Sequence, residues 1–269
     1  MSTLAGKKIV VIGGSSGIGY SVAKASLFYS ADHVLVASST PAKIEAAVSR
    51  LLAEPTLQPM KPALADRVAG ETVDLTDSKS ITTFFDTIGE FDHLVITSGA
   101  LTAYKDFREE DLDKQRDAFD LKFWGHALAA QKAKIRAGGS IIFSIGSSIF
   151  KPRPAWALRI STLGALDALT RALAVELAPL RVNVVCPGYV DTELWDGMPQ
   201  EAKAKMFAEE GKKLPVKHIA SPDEVSEAYI FLMKYNHAYC SGTYADDLAH
   251  RCTFITGEKI VVDGGMRLI

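Results

Sequence analysis

Near its start the chain runs through Ile9-Val10-Val11-Ile12 directly into Gly13-Gly14-Ser15-Ser16-Gly17-Ile18-Gly19, and residues 20–27 then read as a helix. An apolar β run, a glycine turn and a helix start, in that order, leave few folds open. Gly13 permits a sharp turn, Gly17 lets bare backbone approach a pyrophosphate, and Gly19 lets the helix lie tightly on the strand. Ser15, Ser16 and Ile18 fill out the loop, whose helix-starting N–H groups point at a bound anion. Glycine spacing alone is a weak signal, and the strand-to-helix context strengthens it. The alternative is an ordinary βα turn that uses glycine only for its conformation.

The alternation continues along the chain. Residues 33–37, 68–73, 93–100, 140–145, 182–185 and 260–262 read as strands. Residues 43–52, 78–88, 109–134 and 161–177 read as helices, with Gly138-Gly139 breaking the third of them. Residues 54–61 are proline-rich and read as an exposed loop. Ser221-Pro222-Asp223-Glu224 is a capping box with proline at the first helical position, opening a helix through Lys234. This pattern predicts a single doubly wound α/β domain over 1–269, a Rossmann fold with a parallel sheet flanked by helices. The charged, helix-prone stretch 191–220 is expected to be a lid segment.

In such sheets ligands bind at the carboxyl ends of the strands. The second strand ends in Ser38-Ser39-Thr40, with Lys43 one turn on and no acid. An acid there would bind the 2′-hydroxyl of NAD(H) and repel a 2′-phosphate, so the serines favour NADP(H). The same residues also suit a helix N-cap cluster. Asp74, followed by Leu75, is expected at the adenine. Thr76 and Asp77 serve the next helix cap better and leave Asp74 for the ligand. Ser98 and Gly99 are small enough to leave room for a ribose beside the backbone.

With a formal net charge of −2, the chain gives no electrostatic reason to expect nucleic acid or anionic membrane partners. No apolar run is long enough to span a bilayer, and residues 1–6 lack a signal-peptide pattern, so a cytoplasmic protein is expected. Cys186, Cys240 and Cys252 are too few for a disulfide framework. His237, Cys240, His250 and Cys252 are possible zinc ligands, but not at the paired spacing of structural zinc sites. No metal is expected there, only a polar insertion.

Over nearly its whole length the chain resembles the short-chain dehydrogenases/reductases. Residues 12–19 are similar to the family's Thr-Gly-x-x-x-Gly-x-Gly, with Ile12 in the Thr place, and Asp74 matches its adenine-binding Asp. Arg181-Val182-Asn183 and Pro187-Gly188-Tyr189-Val190-Asp191-Thr192 resemble its Arg-Val-Asn and Pro-Gly…Thr segments, and Val262-Asp263-Gly264-Gly265 its ending. The resemblance implies that Pro187, Gly188, Val190 and Thr192 meet the nicotinamide half of the cofactor. It also implies a homodimer or homotetramer paired through residues 117–131 and 161–177.

The departures concern catalysis. Arg159 stands in the column of the family's catalytic Tyr and Leu163 in that of its Lys. Lys122 takes the Asn column, and Gly146 the Ser column with Ser147 beside it. A guanidinium does not donate protons in this range. Lys122 is a proton donor if desolvation lowers its pKa, and Ser147 can hydrogen-bond a substrate oxygen. Lys122, Ser147 and Arg159 are therefore the catalytic candidates. Lys151-Pro152-Arg153-Pro154-Ala155-Trp156 resembles a branch of fungal reductases acting on indole alkaloids, some of which guide a Diels–Alder cyclisation. Where that branch carries an Asp and an Arg, this chain has the cations Arg153 and Lys122, which suit an enolate, phenolate or carboxylate. The resemblance implies a reductase of a small organic substrate, and the residues that end the second strand make its expected cofactor NADP(H). A cofactor-bound cyclase or isomerase, or a non-catalytic nucleotide-binding protein, are the alternatives.

Overall fold

Strands rich in Val, Ile and Leu on both faces must be covered on both faces. In the computed structural model, which describes residues 4–60, 64–99, 105–234 and 254–269, seven strands form one sheet, the inner ones of this apolar kind. They are β1 (Lys8–Ile12), β2 (His33–Ser38), β3 (Val68–Thr72), β4 (Phe91–Ile96), β5 (Ile135–Ser144), β6 (Arg181–Pro187) and β7 (Lys259–Val262). All pairs are parallel, in the order β3-β2-β1-β4-β5-β6-β7. The principal helices are α1 (Gly17–Phe28), α2 (Pro41–Ala53), α3 (Ser78–Ile88), α4 (Asp117–Phe119), α5 (Gly125–Lys132), α6 (Ala157–Glu176), α7 (Gln200–Lys213) and α8 (Pro222–Met233).

Alternation along the strands splits the core in two. Ile9, Val11, Val36, Val95, Ile142 and Val185 pack on one face beneath α1, α2 and α8. Val10, Ile12, Leu35, Leu94, Ile141 and Val184 pack on the other beneath α3, α5 and α6. Chain order reverses at β1, which has β2 on one side and β4 on the other, and the reversal leaves a crevice at the strand carboxyl ends.

Local physics overrides the sequence reading in several places. The helix expected over 109–134 forms only from Asp117. Upstream, Phe107 and Leu112 are exposed, so no apolar face is buried there. The pairs Lys114–Asp111 and Arg116–Asp113 are solvent-exposed and contribute roughly a few tenths of a kcal/mol each. Asp120–Trp124 is a π-helical turn between α4 and α5. Gly138 and Gly139 do not break a helix; they lie inside β5, where a side chain at 139 would collide with the Asp92 carbonyl oxygen. β4 ends at Ile96, leaving residues 97–99 as loop. α6 begins at Ala157, which puts Arg159 in its first turn. Pro55–Met60 is a 3-10 helix with Leu57 fully buried, not an exposed loop.

The caps divide in the same way. Thr40 precedes α2 without a side-chain capping bond. Asp77 caps α3, accepting from the Lys79 amide at 2.9 Å, and the capping box forms at Ser221 and Glu224. Residues 191–220 are closed at the base by a bridge between Val190 and Ala220 and carry α7 between. His237, Cys240, His250 and Cys252 lie outside the described residues. Among the described residues no helix is long and apolar enough to cross a membrane.

Candidate active site

The carboxyl ends of the strands open on one cavity of about 1840 Å³. At its floor, Gly13 has φ +86°, and a Cβ there would stand 2.7 Å from Thr97 Oγ1 and 2.8 Å from the Ser98 nitrogen. A Cβ on Gly19 would run into the Gly13 carbonyl, so the strand and α1 meet backbone to backbone. Gly17, at φ +51°, faces the Thr192 side chain. Ser15, Ser16 and Ile18 line the same wall, as do Ser38, Ser39 and Lys43 from β2 and α2. Asp74, Leu75, Ser98, Gly99, Pro187, Gly188 and Val190 complete it, so every cofactor-binding residue expected from the sequence borders this one space. Asp74 is not wholly left for a ligand. Its Oδ1 accepts from the Thr76 amide at 2.8 Å and the Thr76 hydroxyl at 2.7 Å, which fixes the loop after β3.

Two residues at this end were not legible in the sequence. The Glu193 carboxylate accepts from the Gly17 N–H at 2.8 Å, on the helix-start donor expected to face an anion. Its other oxygen lies 3.5 Å from Arg50 Nη1, and the Arg50 guanidinium covers the Tyr20 ring at 4.1 Å. The Glu193–Gly17 contact spans 176 residues of sequence, and nothing local announces it.

At the far end, the π-helical turn aims Lys122 between two strand ends. Its Nζ donates to the Ser98 carbonyl at 2.9 Å and the Ser144 carbonyl at 2.8 Å. A π turn widens the helix by one residue and often marks a functional site. Burial, and then the neighbouring Arg159 charge, pull the Lys122 ammonium down to about 8. One turn on, His126 donates from Nδ1 to the Leu121 carbonyl at 3.0 Å. Burial and the Lys122 charge hold its pKa well below the usual imidazole value, so it is neutral.

Lys122, Arg159 and Ser147 all border the cavity, but not equally. The Ser147 hydroxyl is buried and lies 4.0 Å from Met266 Sδ. Ser148, which the sequence reading passed over, has a buried hydroxyl without a hydrogen-bond partner among the described residues. It lies 3.3 Å from where a Cβ on Gly146 would be. Leu163 is only 6% exposed and belongs to the core, so that position supplies neither a cation nor a donor. The guanidiniums of Arg153 and Arg159 lie 5.4 and 5.2 Å from the Trp156 ring. Glu210 of α7 pairs with Arg153 at 3.8 Å and Lys213 at 2.8 Å, tying residues 191–220 to this wall. Tyr189, Trp195, Met206 and Met266 add apolar surface.

Comparison with known proteins agrees with this architecture. A model of an SDR-like Rossmann domain matches residues 1–247. "Short-chain dehydrogenase/reductase ATR9" of Stachybotrys chlorohalonatus is 35% identical over 91% of this chain and 97% of its own length. Among solved structures, the MalC reductase/Diels–Alderase from Malbranchea aurantiaca superposes with TM-score 0.85 at 26% identity, covering 100% of this chain and 99% of that one. A small-chain dehydrogenase in complex with NADPH does so with TM-score 0.74 at 28% identity, covering 98% and 99%.

Proposed function

The chain belongs to the short-chain dehydrogenase/reductase family, and from that we propose that it is an NADP(H)-dependent reductase of a small organic substrate with Lys122 as its proton source. The side-chain-free floor at Gly13 and Gly19 fits a dinucleotide, because backbone donors there can approach phosphate closely. Gly13 to Gly19 would hold the diphosphate, and Ser38, Ser39 and Lys43 the 2′-phosphate. Asp74 and Leu75 would meet the adenine, Ser98 and Gly99 the ribose, and residues 187–192 the nicotinamide half. When bound, the reduced nicotinamide supplies a hydride. The NADPH complex of a structural relative supports the choice of cofactor.

The observation that carries the reading is the Lys122 amine within the same cavity as the glycine floor, clamped by two carbonyls. Lys122 donates a proton from Nζ to the oxygen that gains charge during reduction. Arg159 remains charged and steadies that oxygen without giving up a proton. Ser147 contributes only if its hydroxyl turns away from Met266. The test is a titration with NADPH and NADH, followed by NADPH oxidation with a panel of ketones, enones, quinones and imines. Tight NADPH binding with turnover of a panel member is expected. Failure to bind either cofactor overturns the reading.

One observation favours a second reading. Leu163 and Arg159 remove the usual proton-delivery pair, and a relative is named both reductase and Diels–Alderase. Product formation without NADPH oxidation would establish a non-redox cyclase or isomerase instead. The assembly we infer is a homodimer or homotetramer through residues 117–131 and 161–177, where Trp124 and Val175 stand 61% and 81% exposed. Sedimentation equilibrium reads this directly.

A further inference from the structure

Arg50 borders the cofactor end of the cavity from the last turn of α2. Lys43, Ala46 and Arg50 lie three and four residues apart, so one face of that helix looks onto the cavity. The Arg50 guanidinium lies over the ring of Tyr20, the residue that follows Gly19 in α1, at 4.1 Å. Stacking on a buried ring fixes a long side chain in advance, so little rotamer freedom is left to lose when the guanidinium takes an anion.

The anion it meets in this structure is the chain's own. One oxygen of the Glu193 carboxylate accepts from the Gly17 N–H at 2.8 Å, and the other stands 3.5 Å from Arg50 Nη1. A single carboxylate thus bridges the first turn of α1 and a guanidinium of α2. Gly17 admits the segment this closely, since a Cβ there would stand 3.1 Å from Thr192 Cβ. A phosphate group offers the same pair of oxygens to a helix start and a guanidinium. The carboxylate holds its place weakly, because the Arg50 and Glu193 side chains are 52% and 43% exposed and an ion pair so open adds little. A diphosphate brings more charge and more oxygens to the same two donors. Acids and cations are mixed nearby, Asp223 pairing with Lys24 at 2.7 Å and Glu54 accepting from the Thr56 hydroxyl at 3.1 Å, so the bridge selects a phosphate and net charge does not. The bridge ends on Gly17, inside the glycine turn, which points to the diphosphate and not to the 2′-phosphate expected at Ser38 and Ser39.

We propose that Arg50 is a further cofactor-binding residue, a ligand of the diphosphate, and that Glu193 is a resident anion that holds the same two donors until the diphosphate replaces it. This deepens the NADP(H) reading and rests on it.

The test reads Kd for NADPH and NADH by nicotinamide fluorescence, in the unmodified chain, Arg50→Met, Glu193→Gln and the double variant. Both dinucleotides carry the diphosphate, so Arg50→Met is expected to raise both Kd values by one common factor of about tenfold. In the Glu193→Gln background the same substitution is expected to cost roughly two- to fivefold more, because no resident anion loses its partner at the same time. Arg50→Lys keeps a charge but gives up the fork; a loss of about threefold on both cofactors is expected, and this variant keeps the test standing if Arg50→Met does not fold. Unchanged Kd values in the Arg50 variants, a loss confined to NADPH, or a loss no larger in the Glu193→Gln background overturns this inference alone. Failure of the unmodified chain to bind either cofactor overturns the NADP(H) reading and this inference with it.

Discussion

Burial, and then the Arg159 charge, pull the Lys122 ammonium down to about 8, even though the two carbonyls that accept from it favour its charged form. As proton donor it must be charged, so the rate of reduction is expected to fall as pH rises through about 8. Arg159 does not titrate in this range and His126 is already neutral, so neither adds a limb there. A pH profile of kcat measures this. Lys122→Met should lower kcat by roughly 10²- to 10⁴-fold, the usual worth of a positioned acid, while leaving the NADPH Kd in place. Gly19→Ala tests the floor: its new methyl would meet the Gly13 carbonyl and Thr97. A destabilisation of roughly 1–3 kcal/mol, read as a shifted urea midpoint, is expected together with weakened NADPH binding. The glycines were legible because their constraint is local, a turn and a helix start in consecutive residues. Arg50, Glu193 and Glu210 were not, because each acquires its role from a partner that only the fold brings near.

The same contrast separates the elements. β1, β2 and β4 are short apolar runs with both faces buried, a pattern that survives without knowledge of neighbours. Residues 109–116 carry one apolar side chain, Leu112, which is exposed, and without a buried apolar face a helix does not hold. The candidate site was legible up to the strand ends, and contacts such as Ser147 with Met266, 119 residues apart, were not, because only the fold brings them together. The segment leaving β6 is held to α1 by the Glu193 carboxylate on the Gly17 amide, the donor a diphosphate would need. Glu193→Gln removes the competing charge, and a roughly three- to tenfold lower NADPH Kd is expected by fluorescence titration. An unchanged or higher Kd would show that the carboxylate does not compete. Ser221→Ala takes one side of the α8 capping box and should cost about 0.5–2 kcal/mol in chemical denaturation.

In the molecule as a whole, acid is the weak point. His93 is fully buried, and desolvation, then the Arg181 charge, drop its pKa to about 3; His126 is likewise held neutral. In the unfolded chain both imidazoles take up a proton near pH 6.5 that the folded chain refuses. Stability is therefore complete above that pH and falls as pH drops towards 3, His93 removing about 1.4 kcal/mol per pH unit across that window and His126 acting in the same direction. Urea midpoints between pH 7.5 and 5 are expected to fall with pH. The all-parallel sheet has a separate consequence, in time rather than energy. Its central strand pairs Val10 with Leu94, and β6 reaches β7 only when Cys186 meets Val261. Each such pair closes a long loop before any contact rewards it, so such topologies fold slowly and leave apolar strands unpaired while they wait. Dilute, unhurried refolding should recover this chain where concentrated refolding loses it to aggregation.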